Sequence, residues 1–153
     1  MSKRLKQSES VKLEVSSLQD LAKIKNSSVD EISCIGRMQY MPARLRGQFF
    51  EEMYRVLKVG AKATVVVPYY SSMRSIADYA TEWPPICEMS FLCASKKWRE
   101  DNKIHLELKC DFDFVYGYAA DSDTAARSQD VQAFWMKHYL NAAPDLHVTL
   151  TRK

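Results

Sequence analysis

Residues 49–70 (F-F-E-E-M-Y-R-V-L-K-V-G-A-K-A-T-V-V-V-P-Y-Y) constrain the fold more than any other stretch of the chain. Their pattern predicts the end of an amphipathic helix, a left-handed helix end at Gly60, and a strand. Residues 63–67 form a β-branched run without alternation, which is typical of a strand covered on both faces in a parallel sheet. Pro68 marks the carboxyl end of that strand. Because open α/β sheets bind ligands beyond the carboxyl ends of their strands, we expect any site near residues 68–71.

Other segments carry periodic patterns of their own. Residues 104–118 contain the longest alternation in the chain and predict a long antiparallel strand, or two strands joined by a bend. Phe134, Trp135 and Tyr139 lie on the apolar face of a predicted amphipathic helix, and we expect them to pack in the core. The remaining elements are strands over residues 11–15, 30–35 and 146–150, a short helix near 18–24, and a helix that starts at Pro42.

Length and composition place the chain among globular proteins. The 153 residues are enough for one domain, which we assign to residues 11–153 after a flexible N-terminus of residues 1–10. No apolar run reaches the roughly 20 residues of a membrane span, and no secretory signal is present, so we expect a cytoplasmic protein. A net charge of +3 does not favour nucleic acid as a partner. The four cysteines lack paired spacing and are expected to be reduced and buried.

Several of these motifs resemble one enzyme family. The run R-V-L-K-V-G-A-K-A-T-V-V-V-P-Y resembles the helix–turn–strand late in class I S-adenosylmethionine-dependent methyltransferases, where the turn usually is Leu-Lys-Pro-Gly-Gly. Upstream, S-S-V-D-E-I-S-C-I is similar to the family's fourth strand and its lead-in. Downstream, Y-Y-S-S-M-R-S and S-F-L-C-A-S-K-K-W-R-E-D-N-K-I look like one subset of small methyltransferase-like proteins. The resemblance spans residues 11–153 and implies a three-layer α/β, Rossmann-like methyltransferase fold, truncated at the N-terminus, with a mixed sheet and C-terminal antiparallel strands.

The same resemblance implies that the cofactor unit is missing. The family binds its cofactor on a strand, a glycine-rich turn and a helix. Only ten residues precede Val11, whereas a strand–helix–strand unit needs about 30. No two of the four glycines lie close together. If residues 11–15 are the family's third strand, its acidic adenine contact falls near Ser16 and Ser17, and neither is acidic.

Three surviving motifs also depart from the family pattern. Gln39-Tyr40 stands where relatives usually carry Glu-His, Val59-Gly60-Ala61 replaces Pro-Gly-Gly, and residues 78–81 replace Asp-Pro-Thr-His. We therefore expect no cofactor to bind this chain alone, no catalytic residue and no metal ligand. An alternative is that the gene is a truncated fragment of a longer methyltransferase.

Three residues are candidates for substrate binding. Arg37, Tyr69 and Tyr70 should lie at the carboxyl ends of adjacent strands, where they could line a residual cleft. The alternatives are that Tyr69 packs in the core and that Arg37 is solvated. Asp111 and Asp113 share one strand face, either as a carboxylate pair or as a solvated surface. Cys87, Cys93 and His105 match no common zinc spacing.

These observations leave three functional hypotheses. The first is a non-catalytic methyltransferase-like domain, because loss of the first strand exposes a central sheet edge. Either residues 11–15 pair with that edge or another chain does, which predicts a homodimer or a partner subunit that carries the cofactor site. The second is an active S-adenosylmethionine-dependent methyltransferase whose site is completed by another chain. The third is a nucleic-acid-binding module, whose affinity would fall steeply with salt.

Overall fold

The computed structural model describes residues 10–153, so the flexible N-terminus expected for residues 1–10 lies almost wholly outside it. A mixed five-stranded sheet forms the centre of the molecule, with short helices between its strands. In chain order the elements are β1 (Lys12–Glu14), α1 (Leu18–Ala22), β2 (Val29–Ile35), a 3-10 turn (Met38–Tyr40), α2 (Ala43–Val56), β3 (Leu57–Pro68), α3 (Met73–Ala77), α4 (Met89–Leu92), α5 (Lys96–Asp101), β4 (Phe112–Ala119), α6 (Ser122–Ala125), α7 (Gln129–His138) and β5 (Asp145–Arg152).

The strand order is β1-β2-β3-β5-β4. Strands β1, β2 and β3 are parallel, and β5 runs antiparallel to both β3 and β4. The predicted α/β class and the mixed sheet with C-terminal antiparallel strands are confirmed. Strand β1 pairs directly with β2, with Leu13 opposite Ile32. The sequence left open whether residues 11–15 or another chain would pair with this edge of the sheet. In the structure, β1 of this chain pairs with it.

One face of the sheet, which we call the closed face, carries the hydrophobic core. Side chains that alternate onto this face are buried, including Ile32, Val65 and Val148. They pack in one cluster with residues of α2 and α4, such as Phe49 and Phe91. Because a sheet and a helix each bury one apolar side, this pairing satisfies both elements.

The opposite face, which we call the open face, is half-buried or exposed in the described part of the chain. Its members are the alternate residues Ser33, Ile35, Thr64, Val66, Thr149 and Val115. The prediction that residues 63–67 are buried on both faces is wrong, since Thr64 and Val66 are only half-buried. The run lacks alternation because Val66 is apolar on a face that no helix of residues 10–153 covers. Residues 10–153 thus supply the sheet and the helices on its closed face, which are two of the three layers of a sheet that is covered on both faces.

Gly60 has the predicted left-handed backbone, with φ of 78°, but not at a helix end. Helix α2 ends at Val56, and β3 begins at once with Leu57. The β2–β3 register shifts here, because Val29 pairs with Leu57 whereas Glu31 pairs with Lys62. Gly60 therefore lies in an irregular bulge of β3, which is another position that favours a residue without Cβ.

The predicted strand over residues 104–118 forms only from Phe112 onward. Residues 104–111 belong to no helix or strand and have no neighbouring strand within residues 10–153. Side chains bind their backbone instead: Glu51 Oε1 accepts hydrogen bonds from the amides of Lys109 and Cys110. Alternation indicates an extended chain with one apolar side, and it cannot identify a pairing partner.

The expectation that the aromatic face of α7 packs in the core is wrong. No residue of α7 is buried; Phe134 is 52% exposed, and Tyr139 just beyond the helix is 54% exposed. The helix lies in the connection between Ala119 and Asp145, which are opposite each other at the end of the sheet. It therefore sits beyond the sheet, where its aromatic side chains contact one another rather than the core.

Two buried thiols make stability sensitive to alkaline pH. All four cysteines are free, and Cys34 and Cys110 are buried. Burial raises the pKa of Cys34 to about 11 and that of Cys110 to about 12. Because the unfolded thiol ionises near pH 8.5, the unfolded state loses these protons first. The stabilisation is complete below about pH 8.5 and is lost as the pH rises towards the folded pKa values.

We predict that the free energy of unfolding of the wild type falls with pH above about 8.5, by at most about 1.4 kcal/mol per pH unit for each buried thiol. Cys34→Ala should lower stability at pH 7 but reduce this slope, whereas Cys87→Ala, at a half-buried position, serves as the matched control. Urea unfolding between pH 7 and 10 measures both slopes. An identical slope for wild type and Cys34→Ala would contradict the prediction.

Candidate functional site

The carboxyl ends of the parallel strands define the candidate site. Strands β1, β2 and β3 end at Glu14, Ile35 and Pro68, and β4, which runs parallel to β3, ends at Ala119. In open α/β sheets the loops beyond these ends form the ligand crevice. The sequence located this edge correctly from the position of Pro68.

A crevice of about 240 Å³ lies beyond β1 and β2. Arg37 lines it, together with Tyr40 and the loop that carries Ser16 and Ser17. The hydroxyl of Tyr40 donates to Asp78 Oδ2 at 2.8 Å, which ties the 3-10 turn to the loop after α3. Arg37 is thus placed at a cleft, with a tyrosine and two serines that the sequence had not proposed for substrate binding.

Asp20 closes the turn between β1 and α1. Its Oδ2 accepts hydrogen bonds from the amides of Ser16 at 2.7 Å and Ser17 at 2.8 Å. These bonds lower the pKa of Asp20, because backbone donors favour the ionised carboxylate. The amides that follow β1 are therefore already paired with a carboxylate from the chain itself.

Tyr69 and Tyr70 contact each other but do not line the Arg37 crevice. Tyr69 is 5% exposed, and its ring lies 5.1 Å from that of Tyr118. Its hydroxyl faces Glu88 at 3.5 Å, and burial followed by the Glu88 charge raises the pKa of Tyr69. Tyr70 is 41% exposed, with its ring centre 4.7 Å from that of Tyr69. Of the two, Tyr70 is the accessible side chain.

A second pocket, of about 410 Å³, lies beyond β4 and β5. Trp135, Tyr139 and Asn141 line it, opposite Asp121 and Thr124. The Asn141 amide donates to the Ser71 carbonyl, and Asn141 Oδ1 accepts from the Met73 amide, so this pocket adjoins the segment after β3. Its volume falls within the range of about 300–1,000 Å³ that is usual for small-molecule sites. The sequence analysis missed this pocket because it assigned the aromatic residues of α7 to the core.

The other candidate groups are neutralised or scattered. Lys153 Nζ lies 3.9 Å from Asp111 and 3.0 Å from Asp113, so this carboxylate pair carries its own counter-ion. Within residues 10–153, no three His, Cys, Asp or Glu side chains come together as they would to hold a metal ion. None of the helices in that part of the chain has the length and apolar character needed to cross a bilayer.

Solved structures that share this fold include several methyltransferases. An S-adenosylmethionine-dependent methyltransferase from Archaeoglobus fulgidus superposes with a TM-score of 0.58 at 10% identity, over 88% of this chain and 64% of that one. A putative methyltransferase from Haloferax volcanii, solved with the Trm112 methyltransferase activator, gives 0.52 at 15% identity, over 85% and 56%. Geranyl diphosphate C-methyltransferase from Streptomyces coelicolor gives 0.50 at 11% identity, over 86% and 49%.

The chain therefore has a methyltransferase-like, Rossmann-like fold and spans about half to two thirds of the length of these structures. At these identities the likeness concerns the fold alone. No protein-family model matches the sequence, and no curated protein matches it.

The loops beyond β1 and β2 differ from a nucleotide-binding cradle in two respects. A cradle uses glycines for close backbone approach and free amides at a helix start. Here the first glycine is Gly36, after β2, and the amides of Ser16 and Ser17 donate to Asp20. The crevice of about 240 Å³ is also smaller than the usual small-molecule site.

Proposed function

We propose that residues 11–153 form a methyltransferase-like domain that does not bind S-adenosylmethionine by itself and acts through self-association or a partner subunit. In this role the domain is a cytoplasmic pseudoenzyme, and it contributes a fold and an interaction surface rather than chemistry. The observation that carries this proposal is the pairing of the Ser16 and Ser17 amides with Asp20. A carboxylate of the same chain thus takes up two backbone donors of a kind that nucleotide sites leave free for the ligand.

The open face of the sheet supports the need for a partner. Central parallel strands are usually covered on both sides. Here Ile35 is 50% exposed and Val66 is half-buried, although both lie on inner strands of the sheet, β2 and β3. The similar Haloferax volcanii methyltransferase was solved in complex with an activator. By analogy, a further polypeptide would supply the layer that residues 10–153 do not place on this face.

We predict that calorimetric titration of the purified chain with S-adenosylmethionine, or with its demethylated product, gives no binding heat up to millimolar ligand. The reason is that two backbone donors beyond β1, the amides of Ser16 and Ser17, already donate to Asp20. Asp20→Asn keeps the side-chain length but removes the negative charge. It should leave the result unchanged, because the glycine-rich turn is still absent. Urea unfolding of the same samples confirms that the chain is folded.

Binding tighter than about 100 μM, or roughly −5.5 kcal/mol, would overturn the proposal. It would favour the second candidate, an active S-adenosylmethionine-dependent methyltransferase. Arg37, Tyr70 and the pocket beside Trp135 would then form its substrate surface, and Tyr69 would support Tyr70 from the core. If another chain completes the site, the isolated chain would also give no binding heat. The assembled complex would then bind the cofactor.

Nucleic acid is not the partner that the surface charges favour. The two lysines of α5 have acidic partners on the same helix: Lys97 Nζ lies 2.5 Å from Asp101, and Lys96 Nζ lies 3.8 Å from Glu100. Charges that are paired in this way contribute little to counter-ion release. We therefore expect no salt-dependent binding to a duplex or a single strand.

A further inference from the structure

The outer edge of β4 is an unpaired strand edge within residues 10–153. Strand β4 is the last strand of the sheet and pairs on one side only, with β5. The amide of Lys153 donates to the carbonyl of Asp111, directly opposite, whereas the amide of Phe112 turns outward to the Ala94 carbonyl. Because such bonds alternate along an antiparallel ladder, Phe114, Tyr116 and Tyr118 direct their amides and carbonyls away from β5.

This edge lacks the features by which proteins protect exposed strands. Residues 114–119 contain no charged side chain and no proline. Val115 is 69% exposed and Tyr116 is 50% exposed. By contrast, the opposite edge, β1, has only three residues, two of which are the charged Lys12 and Glu14. Short, charged strands resist edge-to-edge pairing, whereas long uncharged ones invite it.

We propose that β4 pairs antiparallel with β4 of a second copy of this chain, about a two-fold axis that passes beside Tyr116. This inference rests on the proposed function, because it names the surface through which the domain self-associates. The pairing joins two five-stranded sheets into one continuous sheet and forms about six backbone hydrogen bonds.

The sequence around Tyr116 is self-complementary in this arrangement. Reversing Phe114-Val115-Tyr116-Gly117-Tyr118 places aromatic residues opposite aromatic residues and Val115 opposite Gly117 of the second copy. Aromatic pairs across antiparallel strands are favourable, and a glycine leaves room for a β-branched neighbour. The aromatic rings already contact one another along the strand: the ring centre of Tyr116 lies 6.3 Å from that of Phe114 in a stacked pair and 5.8 Å from that of Tyr118 in an edge-to-face pair. No net charge on residues 114–119 opposes the approach of an identical strand, and this palindromic pattern favours a second copy over an unrelated partner.

Sedimentation equilibrium of wild type and Tyr116→Pro tests the proposal. Proline is tolerated at an edge position whose amide faces outward, so the monomer should keep its fold, which circular dichroism checks. The dissociation constant of the dimer should rise at least tenfold for Tyr116→Pro. Tyr116→Val, which keeps the amide and the β propensity, should change it much less.

A cysteine pair provides the second measurement. In a hydrogen-bonded antiparallel pair the Cα atoms are about 5.5 Å apart, within disulfide range, so Tyr116→Cys should crosslink to its own copy under mild oxidation. Val115→Cys is the matched control. Residue 115 faces residue 117 of the second copy, and its own copy lies beyond about 7 Å, too far to bridge.

The outcomes separate this inference from the proposed function. A wild type that stays monomeric at tens of micromolar would overturn the β4 pairing and leave the partner-subunit form of the proposed function. If Tyr116→Pro did not change the dissociation constant of the dimer, or if Val115→Cys crosslinked as readily as Tyr116→Cys, the β4 pairing would be wrong. Self-association through another surface would still stand. Cofactor binding by the isolated chain would overturn the proposed function whatever the oligomeric state.

Discussion

Phe50→Ala should lower the free energy of unfolding by about 3–5 kcal/mol, the usual cost of removing a fully buried aromatic ring. Phe50 is 1% exposed and lies on α2, and its ring centre is 5.7 Å from that of Phe91 on α4. This contact joins the two helices that close the core over the sheet. The loss should be near the upper end of the range, because residues 10–153 bury large apolar side chains on one face of the sheet only.

Phe134→Ala is the matched control, since it removes the same ring from α7, where it is 52% exposed. Its effect should stay within about 0.5 kcal/mol. Urea unfolding followed by tryptophan fluorescence measures both variants. If the two phenylalanine variants were equally stable, the assignment of Phe50 to a hydrophobic core on the closed face, with Phe134 outside it, would be wrong.

The fold was predictable from sequence wherever local pattern and tertiary burial agree. Helix α2 and strand β3 follow from the apolar face before Val56 and from the β-branched run that ends at Pro68. The same run gave the wrong burial for Val66. An apolar side chain in a strand shows that burial would be favourable, but not that the chain supplies the cover. For the same reason, the aromatic residues of α7 correctly predicted a helix but wrongly predicted that this helix packs in the core.

The site was less predictable, because it depends on contacts between loops. Topology alone placed Arg37 at a strand end, and the structure puts it in a crevice. Tyr40 had been noted only as a departure from the family's Glu-His pair, and its contact with Asp78 could not have been predicted because it spans 38 residues of sequence. The role of Asp20 had a local signal that the sequence analysis did not use. Ser17-Leu18-Gln19-Asp20 has the spacing of a capping box, in which the acidic side chain bonds back to the preceding amides.

The segment before β4, residues 104–111, shows how side chains can bind a backbone that has no strand partner. Arg99 on α5 is 6% exposed, and its guanidinium donates to three carbonyls: Cys93 at 2.5 Å, Leu108 at 3.0 Å and Cys110 at 2.9 Å. These bonds fix the chain two residues before Phe112, where β4 begins. The position of the proposed dimer edge therefore depends on this arginine.

Arg99→Met should lower the free energy of unfolding by about 2–4 kcal/mol, because it leaves these carbonyls without their charged donor. Arg99→Lys should recover only part of the loss, since one ammonium group cannot reach three carbonyls as a planar guanidinium does. Lys97→Met on the same helix is the matched control. Its ion pair with Asp101 is solvent-exposed and should contribute less than about 0.5 kcal/mol. Hydrogen exchange should also show faster opening at Phe112 in Arg99→Met than in Lys97→Met. Equal stability and equal exchange in these two variants would mean that the segment before β4 is held by its apolar contacts, such as that of Leu108 with the core, and not by the arginine.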